Sequence, residues 1–300
     1  MKKIYRIDTV NDYCKLNGVE TLHPLVSIID FSKTASFYSD HSHFYYGVYG
    51  VFLKDVNCGE LRYGRNKYDY QDGSLVFVSP GQMLELIKNN TSNTRKGWAL
   101  LFHPDLISGT NLGRQIDDYS FFSYDINEAL HISERERKMI LELFEKILFE
   151  LSQPIDKHSR KLIVNNIQLF LDYCMRFYDR QFITREHVNK GVLERFETEL
   201  NAYFRTDKPQ TAGLPSVAYF ADALHLSANY FGDLIKKETG KTAQEYIQLK
   251  VMNIARDRVL DITKPVSEIA YELGFKYPQH FTRMFKKNVG VSPSEFRNLN

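Results

Sequence analysis

The chain has 300 residues, 43% hydrophobic and 25% charged, with a formal net charge of +2. That is material for roughly two domains, and the near-neutral balance excludes a polyanion partner recognised by overall charge, so any nucleic-acid signal has to be local. The opening MKKIYRIDTV has no apolar stretch of the secretory type, and no run approaches the roughly 20 apolar residues of a membrane helix, so a cytoplasmic protein without membrane contact is expected.

From residue 1 to about 130 the pattern is strand. The runs VSIIDFS, HFYYGVYGVFLKD, GELRYGRNKYDY, SLVFVSP and KGWALLFH are rich in aromatic and β-branched residues, with turn signals at Asp72-Gly73 and Pro80-Gly81. A small barrel or sandwich is predicted. From about 133 to 180 the period becomes helical. One stripe runs through Ile140, Leu143, Phe144, Ile147, Leu148 and Leu151, with Ser133 placed to cap it. A second runs through Ile163, Ile167, Phe170, Leu171, Cys174 and Tyr178, and Pro154 separates the two. This predicts a helical hairpin whose apolar stripes pack on the strands, on each other, or on a second copy of the chain. The polar segment 181–192, with Gly191, is the expected interdomain linker. The three cysteines, Cys14, Cys58 and Cys174, are far apart and form no C-x-x-C pair, so neither a zinc site nor a disulfide framework is predicted.

Residues 193–300 are helical nearly throughout and contain an internal repeat. At an offset of 49, Val217 matches Val266, Phe220 matches Ile269, Ala221 matches Ala270, Leu224 matches Leu273, and Leu226 matches Phe275. The offset then becomes 50: Phe231 matches Phe281, Ile235 matches Phe285, Lys236-Lys237 matches Lys286-Lys287, and Gly240 matches Gly290. The extra residue falls where a turn belongs. Each copy reads as a short helix, a tight turn and a second helix, at 217–239 and 266–289, which is the helix-turn-helix pattern. Gly274 suits a helix end that reverses direction, and His225 takes that place in the first copy. Between the copies, Ile247, Val251, Ile254, Ala255 and Val259 predict one spacer helix about 24 Å long.

The residues Ile269-Ala270, Leu273-Gly274-Phe275, Phe281, Phe285-Lys286-Lys287, Gly290, Ser292-Pro293 and Phe296-Arg297 resemble the DNA-binding domain of the AraC/XylS family of bacterial transcription regulators. The resemblance covers about a third of the chain. It implies an α+β protein of several domains: a cupin-like β-barrel with a helical hairpin over 1–180, for ligand sensing or dimerisation, then an all-α double helix-turn-helix domain over 193–300. It also implies double-stranded DNA as the partner, and activation, the commoner behaviour in the family, would imply contact with RNA polymerase.

On the second helix of each unit the apolar residues turn inward, leaving Asn229, Lys236 and Lys237 in the first copy and Gln279, Thr282, Arg283, Lys286 and Lys287 in the second as DNA contacts. Gln pairs with adenine and Arg with guanine. Tyr230 is counted among the DNA contacts, and His280, at the same place in the second copy, is expected partly packed, with a phosphate contact as its alternative. Between Lys250 and the end, nine basic residues face five acidic ones, a local excess of +4. In the front half, Tyr45, Tyr49 and Tyr63 either line a pocket for a small-molecule effector or fill the core, and His41 and His43 line that pocket or stand at a strand edge. His41 and His43 form the H-x-H also used by cupin metal sites, but the remaining ligands do not follow at the usual spacing, so no metal is predicted. No Ser/His/Asp set, P-loop or G-x-G-x-x-G appears, and neither cofactor nor enzymatic activity is expected. Two rival readings are a metal-dependent cupin enzyme fused to a DNA-targeting domain, and a ligand-independent dimeric DNA-binding protein.

Overall fold

The computed structural model describes residues 4–34, 43–54, 61–63, 66–67, 73–86, 96–125, 128–184 and 186–299. They form two compact units, 1–184 and 185–300. The first contains β1 (Ile4–Ile7), α1 (Val10–Leu16), β2 (Val26–Asp30), β3 (His43–Tyr46), β4 (Tyr49–Lys54), β5 (Leu61–Tyr63), β6 (Asn66–Lys67), β7 (Ser74–Val78), β8 (Met83–Leu86), β9 (Gly97–Phe102), α2 (Pro104–Ile107), α3 (Asn111–Gln115), β10 (Leu130–His131), α4 (Glu134–Ser152) and α5 (Ser159–Thr184).

The strands make two sheets, ordered β1-β3-β8-β5-β6 and β10-β7-β4-β9-β2. Only β1 and β3 pair in parallel among the described strands. No described strand of one sheet pairs with a strand of the other, so no closed barrel is found among the described strands. Closure requires hydrogen-bonded ladders across both seams, and the outer strands β1, β6, β10 and β2 make none between the sheets.

The burial pattern explains the stacking. In β3 exposure alternates, and Phe44 and Tyr46 face inward. They meet Phe52, Val76, Val78, Ala99 and Leu101 of the second sheet, with Ile7 and Val10 closing the core. Strand β7, SLVFV, is buried at every position, which marks a sheet covered on both faces. Its far side carries Phe77, whose ring lies 6.1 Å from Tyr178 of α5, while Trp98 of β9 meets Phe144 of α4 at 6.4 Å.

Helix α4 begins at a capping box, Ser133 with Glu136. The end of α5 is fastened to the segment before it. Arg180 holds the Glu136 carboxylate through two contacts of 2.8 and 3.1 Å and donates to the His131 carbonyl at 2.6 Å. Gln181 accepts from His131 N–H at 2.7 Å, and Tyr178 donates to the Glu128 carbonyl. The boundary between the two units, after Thr184, falls inside the stretch 181–192. Gln181 and Phe182 are buried within α5, which ends at Thr184, and α6 (Glu186–Arg205) is the first helix of the second unit.

The second unit continues with α7 (Lys208–Ala212), α8 (Val217–Leu224), α9 (Ala228–Thr239), α10 (Ala243–Val259), α11 (Val266–Glu272), α12 (Pro278–Val289) and α13 (Pro293–Leu299). Phe196 of α6 centres its first half, with ring contacts to Phe220, Phe231 and Tyr246 at 5.0–5.6 Å. Phe285 centres the second half, between Phe281 and Phe296 at 5.6 Å each.

Candidate nucleic-acid interface

Two helix-turn-helix units are built from the same local chemistry. Helix α8 starts at Ser216, whose hydroxyl accepts from Tyr219 N–H, and buries Phe220, Ala221 and Leu224. It ends at His225 in the left-handed region, φ 59° and ψ 42°, with Leu226 N–H returning to the Ala221 carbonyl at 2.9 Å. Ser227 then caps α9. In the second copy Gly274 takes the left-handed position at φ 92°, and Phe275 N–H returns to the Ala270 carbonyl at 3.0 Å. The same backbone turn is thus made by glycine in one copy and at a steric cost by histidine in the other.

On α12 the inward stripe is Phe281 and Phe285, both fully buried, while Gln279, His280, Arg283, Lys286 and Lys287 are exposed. Thr282 is half-buried and its hydroxyl donates to the Pro278 carbonyl, which leaves its methyl as the outward group. On α9, Asn229, Lys236 and Lys237 are exposed and Asp233 is half-buried. Tyr230 departs from expectation. It is 6% exposed and packs with Phe231, Leu234 and Ile235 on the inner side of α9. A phenol ring gains more from burial than an imidazole, so Tyr230 folds under while His280 stays out, with the Tyr277 ring beside it at 5.4 Å.

The local positive excess also needs correction, because three of its cations work inside the fold. Arg297 donates to the carbonyls of Val259 (2.7 Å), Asp261 (3.0 Å) and Lys264 (3.0 Å). Lys264 and Arg258 both pair with Glu272. Exposed positive charge therefore concentrates on Arg256, Lys276, Arg283, Lys286 and Lys287. Glu295 and Glu245, the capping-box carboxylates of α13 and α10, are held below the usual glutamate range, first by the backbone N–H groups of Ser292 and Thr242. Burial, reinforced by Glu197, pushes the Tyr246 hydroxyl up to about 12, so it remains a donor to that carboxylate.

Among the described residues, the front-half candidates His43, Tyr45 and Tyr49 do not converge. His41 lies outside the described residues, and for Tyr63 only its place in β5 is described. His43 and Tyr45 are half-buried on β3, alternating with the core-facing Phe44 and Tyr46, and the Arg6 guanidinium lies 4.4 Å over the Tyr45 ring. Tyr49 faces the other way, stacked on Phe102 at 4.9 Å and edged by Phe122 at 5.1 Å. The inter-sheet core separates Tyr49 from His43 and Tyr45. Cys14 and Cys174 are buried free thiols, and Cys58 lies outside the described residues. No His, Cys, Asp and Glu group able to hold a metal occurs among the described residues. No described helix is long and apolar enough to cross a membrane.

A family model described as a helix-turn-helix domain matches residues 220–299. The HTH-type transcriptional regulator YfiF of Bacillus subtilis is 30% identical over 165 residues, covering 52% of this chain and 49% of that protein, so the chain spans about half of that relative's length. The probable transcriptional regulator LumQ of Photobacterium leiognathi is 24% identical over 240 residues, 78% of this chain and 86% of LumQ. The TetD protein of transposon Tn10 in Escherichia coli is 36% identical over 144 residues, 48% of this chain and 91% of TetD. With the repeated bihelical units at its carboxyl end, the chain belongs to the AraC/XylS family of transcriptional regulators.

Proposed function

We propose that this protein regulates transcription by laying α9 and α12 into neighbouring major grooves of one DNA duplex. The observation that carries the reading is the division of α12: its apolar rings are fully buried, while Gln279, Arg283, Lys286 and Lys287 stand in solvent. Helix α10, with 17 residues, is about 26 Å long, a spacer on the scale of the roughly 34 Å between successive grooves. Arg283 and Gln279 read guanine and adenine, each worth about 1–3 kcal/mol of discrimination. The Thr282 methyl meets a thymine methyl, and His280, Lys236, Lys237, Lys286 and Lys287 hold phosphates. The first copy offers only Asn229, with Gly232 and Asp233 beside it, so it anchors more than it reads.

In the first unit, Phe149, Leu162 and Leu169 remain 63%, 43% and 43% exposed on the outer side of α4 and α5, which supports a homodimer through that face. Activation through RNA polymerase and control by a small-molecule effector extend the same reading to the whole protein. The test is selection of duplexes from a random pool by the full chain at fixed salt, since phosphate contacts make affinity strongly salt-dependent. The enriched sequences should carry two elements about one helical turn apart. Arg283→Ala should flatten the preference at one position more than Asn229→Ala does. A pool without enriched sequence, or equal losses for the two variants, contradicts the proposal.

A further inference from the structure

The spacing between the two reading helices is the property that α10 alone cannot set, because a single helix leaves rotation free at both of its ends. Two further ties join the first bihelical unit to the second. Gly213, which ends α7, sits at φ 84° and ψ −159°, and Gly274 in the turn of the second unit sits at φ 92°. Their backbones touch: a Cβ on Gly274 would stand 2.7–2.9 Å from the Gly213 carbonyl group and Leu214 N. No side chain fits at Gly274, and Gly213 holds a positive φ that side chains rarely adopt, so two glycines from opposite halves meet there. The Gly213 carbonyl is in turn fixed by the Tyr203 hydroxyl of α6, which donates to it at 2.9 Å, and Tyr203 is itself buried among Phe204, Tyr219 and Phe220.

The second tie is Arg258 near the end of α10. Its guanidinium donates to the Phe204 carbonyl at the end of α6 (3.3 Å) and pairs with Glu272 of α11 at 3.6 Å. Helices from both halves thus meet on one side chain. Arg297 closes the remaining hinge by holding the carbonyl of Val259, the last residue of α10, and those of Asp261 and Lys264 in the loop before α11.

Resting on the two-groove reading above, we infer that Tyr203, Gly213, Gly274 and Arg258 are positioning residues that close the DNA-binding unit into a frame, so that the protein accepts only one separation between its two half-sites. They touch no base. Their effect is read as intolerance of altered spacing.

The experiment compares the full chain on the selected duplex with duplexes in which one base pair is inserted or removed between the half-sites. One base pair shifts the second groove by about 3.4 Å and turns it by roughly 35°. The unsubstituted chain should lose at least about tenfold in affinity on either change. The double variant Tyr203→Phe, Arg258→Gln should lose only about threefold or less, while its affinity for a duplex bearing the α12 half-site alone stays within about twofold. Should the double variant fail to fold, Tyr203→Phe alone, which removes one hydroxyl, should cut the spacing penalty at least about twofold. A folded variant that keeps the full penalty overturns the inference and leaves the two-groove reading standing. An equal fall on the single half-site also overturns it, since that marks a general loosening of the helices. A starting protein indifferent to spacing removes the two-groove reading itself, and this inference with it.

Discussion

Arg297→Ala tests the most heavily used side chain of the second unit. The substitution removes hydrogen bonds of 2.7, 3.0 and 3.0 Å to the carbonyls of Val259, Asp261 and Lys264. A hydrogen bond to a charged group is worth about 1.5–3 kcal/mol. The Asp261 contact is exposed and the other two are part-buried, so each belongs below or at the low end of that range. The freed carbonyls lie close to water and recover solvation. A loss of about 2–3 kcal/mol follows, equivalent to roughly 1 M in a urea midpoint at an ordinary m-value. The assay exploits the chain's single tryptophan. Trp98 lies in β9 against Phe144, so its emission follows the first unit, whereas far-UV ellipticity follows the helices of both. The part of the ellipticity change unaccompanied by Trp98 emission should move to lower urea, and the emission transition should stay. Arg297→Lys, keeping one donor group, should recover about a third of the loss. An unmoved ellipticity transition, or a Trp98 transition that moves with it, refutes the clamp.

Arg180→Met should give the opposite signature, lowering the stability read from the Trp98 transition by about 1–2 kcal/mol. Glu136 loses its bidentate partner, but Arg180 is 40% exposed, so the buried-pair figure is discounted. His225→Gly should stabilise the second unit by about 0.5 kcal/mol, because relief of the left-handed strain exceeds the extra freedom glycine brings to the unfolded chain; a lower ellipticity midpoint would show that the turn is unstrained. Glu245 and Glu295 carry folded pKa values below the ordinary 4.5. Their contribution is therefore complete above that value and is lost as pH falls through it toward the folded ones. Urea midpoints of the second unit should decline over that acid range, and Glu295→Gln, which still accepts a hydrogen bond but does not titrate, should decline less steeply.

The second unit was legible because its signals are local. Apolar positions three and four apart, a glycine or its substitute at each turn, and the Ser or Thr caps of α8, α9, α10 and α13 are all set within a few residues of where they act. What escaped depended on distant partners. Arg258, Lys264 and Arg297 count as positive charge in the sequence, yet their partners, Glu272 and four carbonyls between Phe204 and Lys264, lie up to 54 positions away. Tyr230 and His280 occupy equivalent places in the repeat, and only the packing around each decides which one stays in solvent. In the first unit the strand runs were readable but their pairing was not. Ile4–Ile7 pairs in parallel with His43–Tyr46 across a long separation, and nothing in either segment announces the other. The same non-locality hid the separation of Tyr49 from His43 and Tyr45, which follows from strand parity within each sheet. Phe296-Arg297 stood in the family pattern, but the pattern does not say that the arginine holds a loop.

The second sheet of the first unit is covered on both faces, so its strands were free to dispense with solvent-compatible side chains: β7 is SLVFV and β9 is GWALLF. Segments of that kind, uncharged and of high β-propensity, associate readily with their like once uncovered. The helical layer of α4 and α5 is therefore also a guard against self-association. Heating that peels it away should leave precipitate that does not redissolve on cooling, even where the helices of the second unit would have refolded.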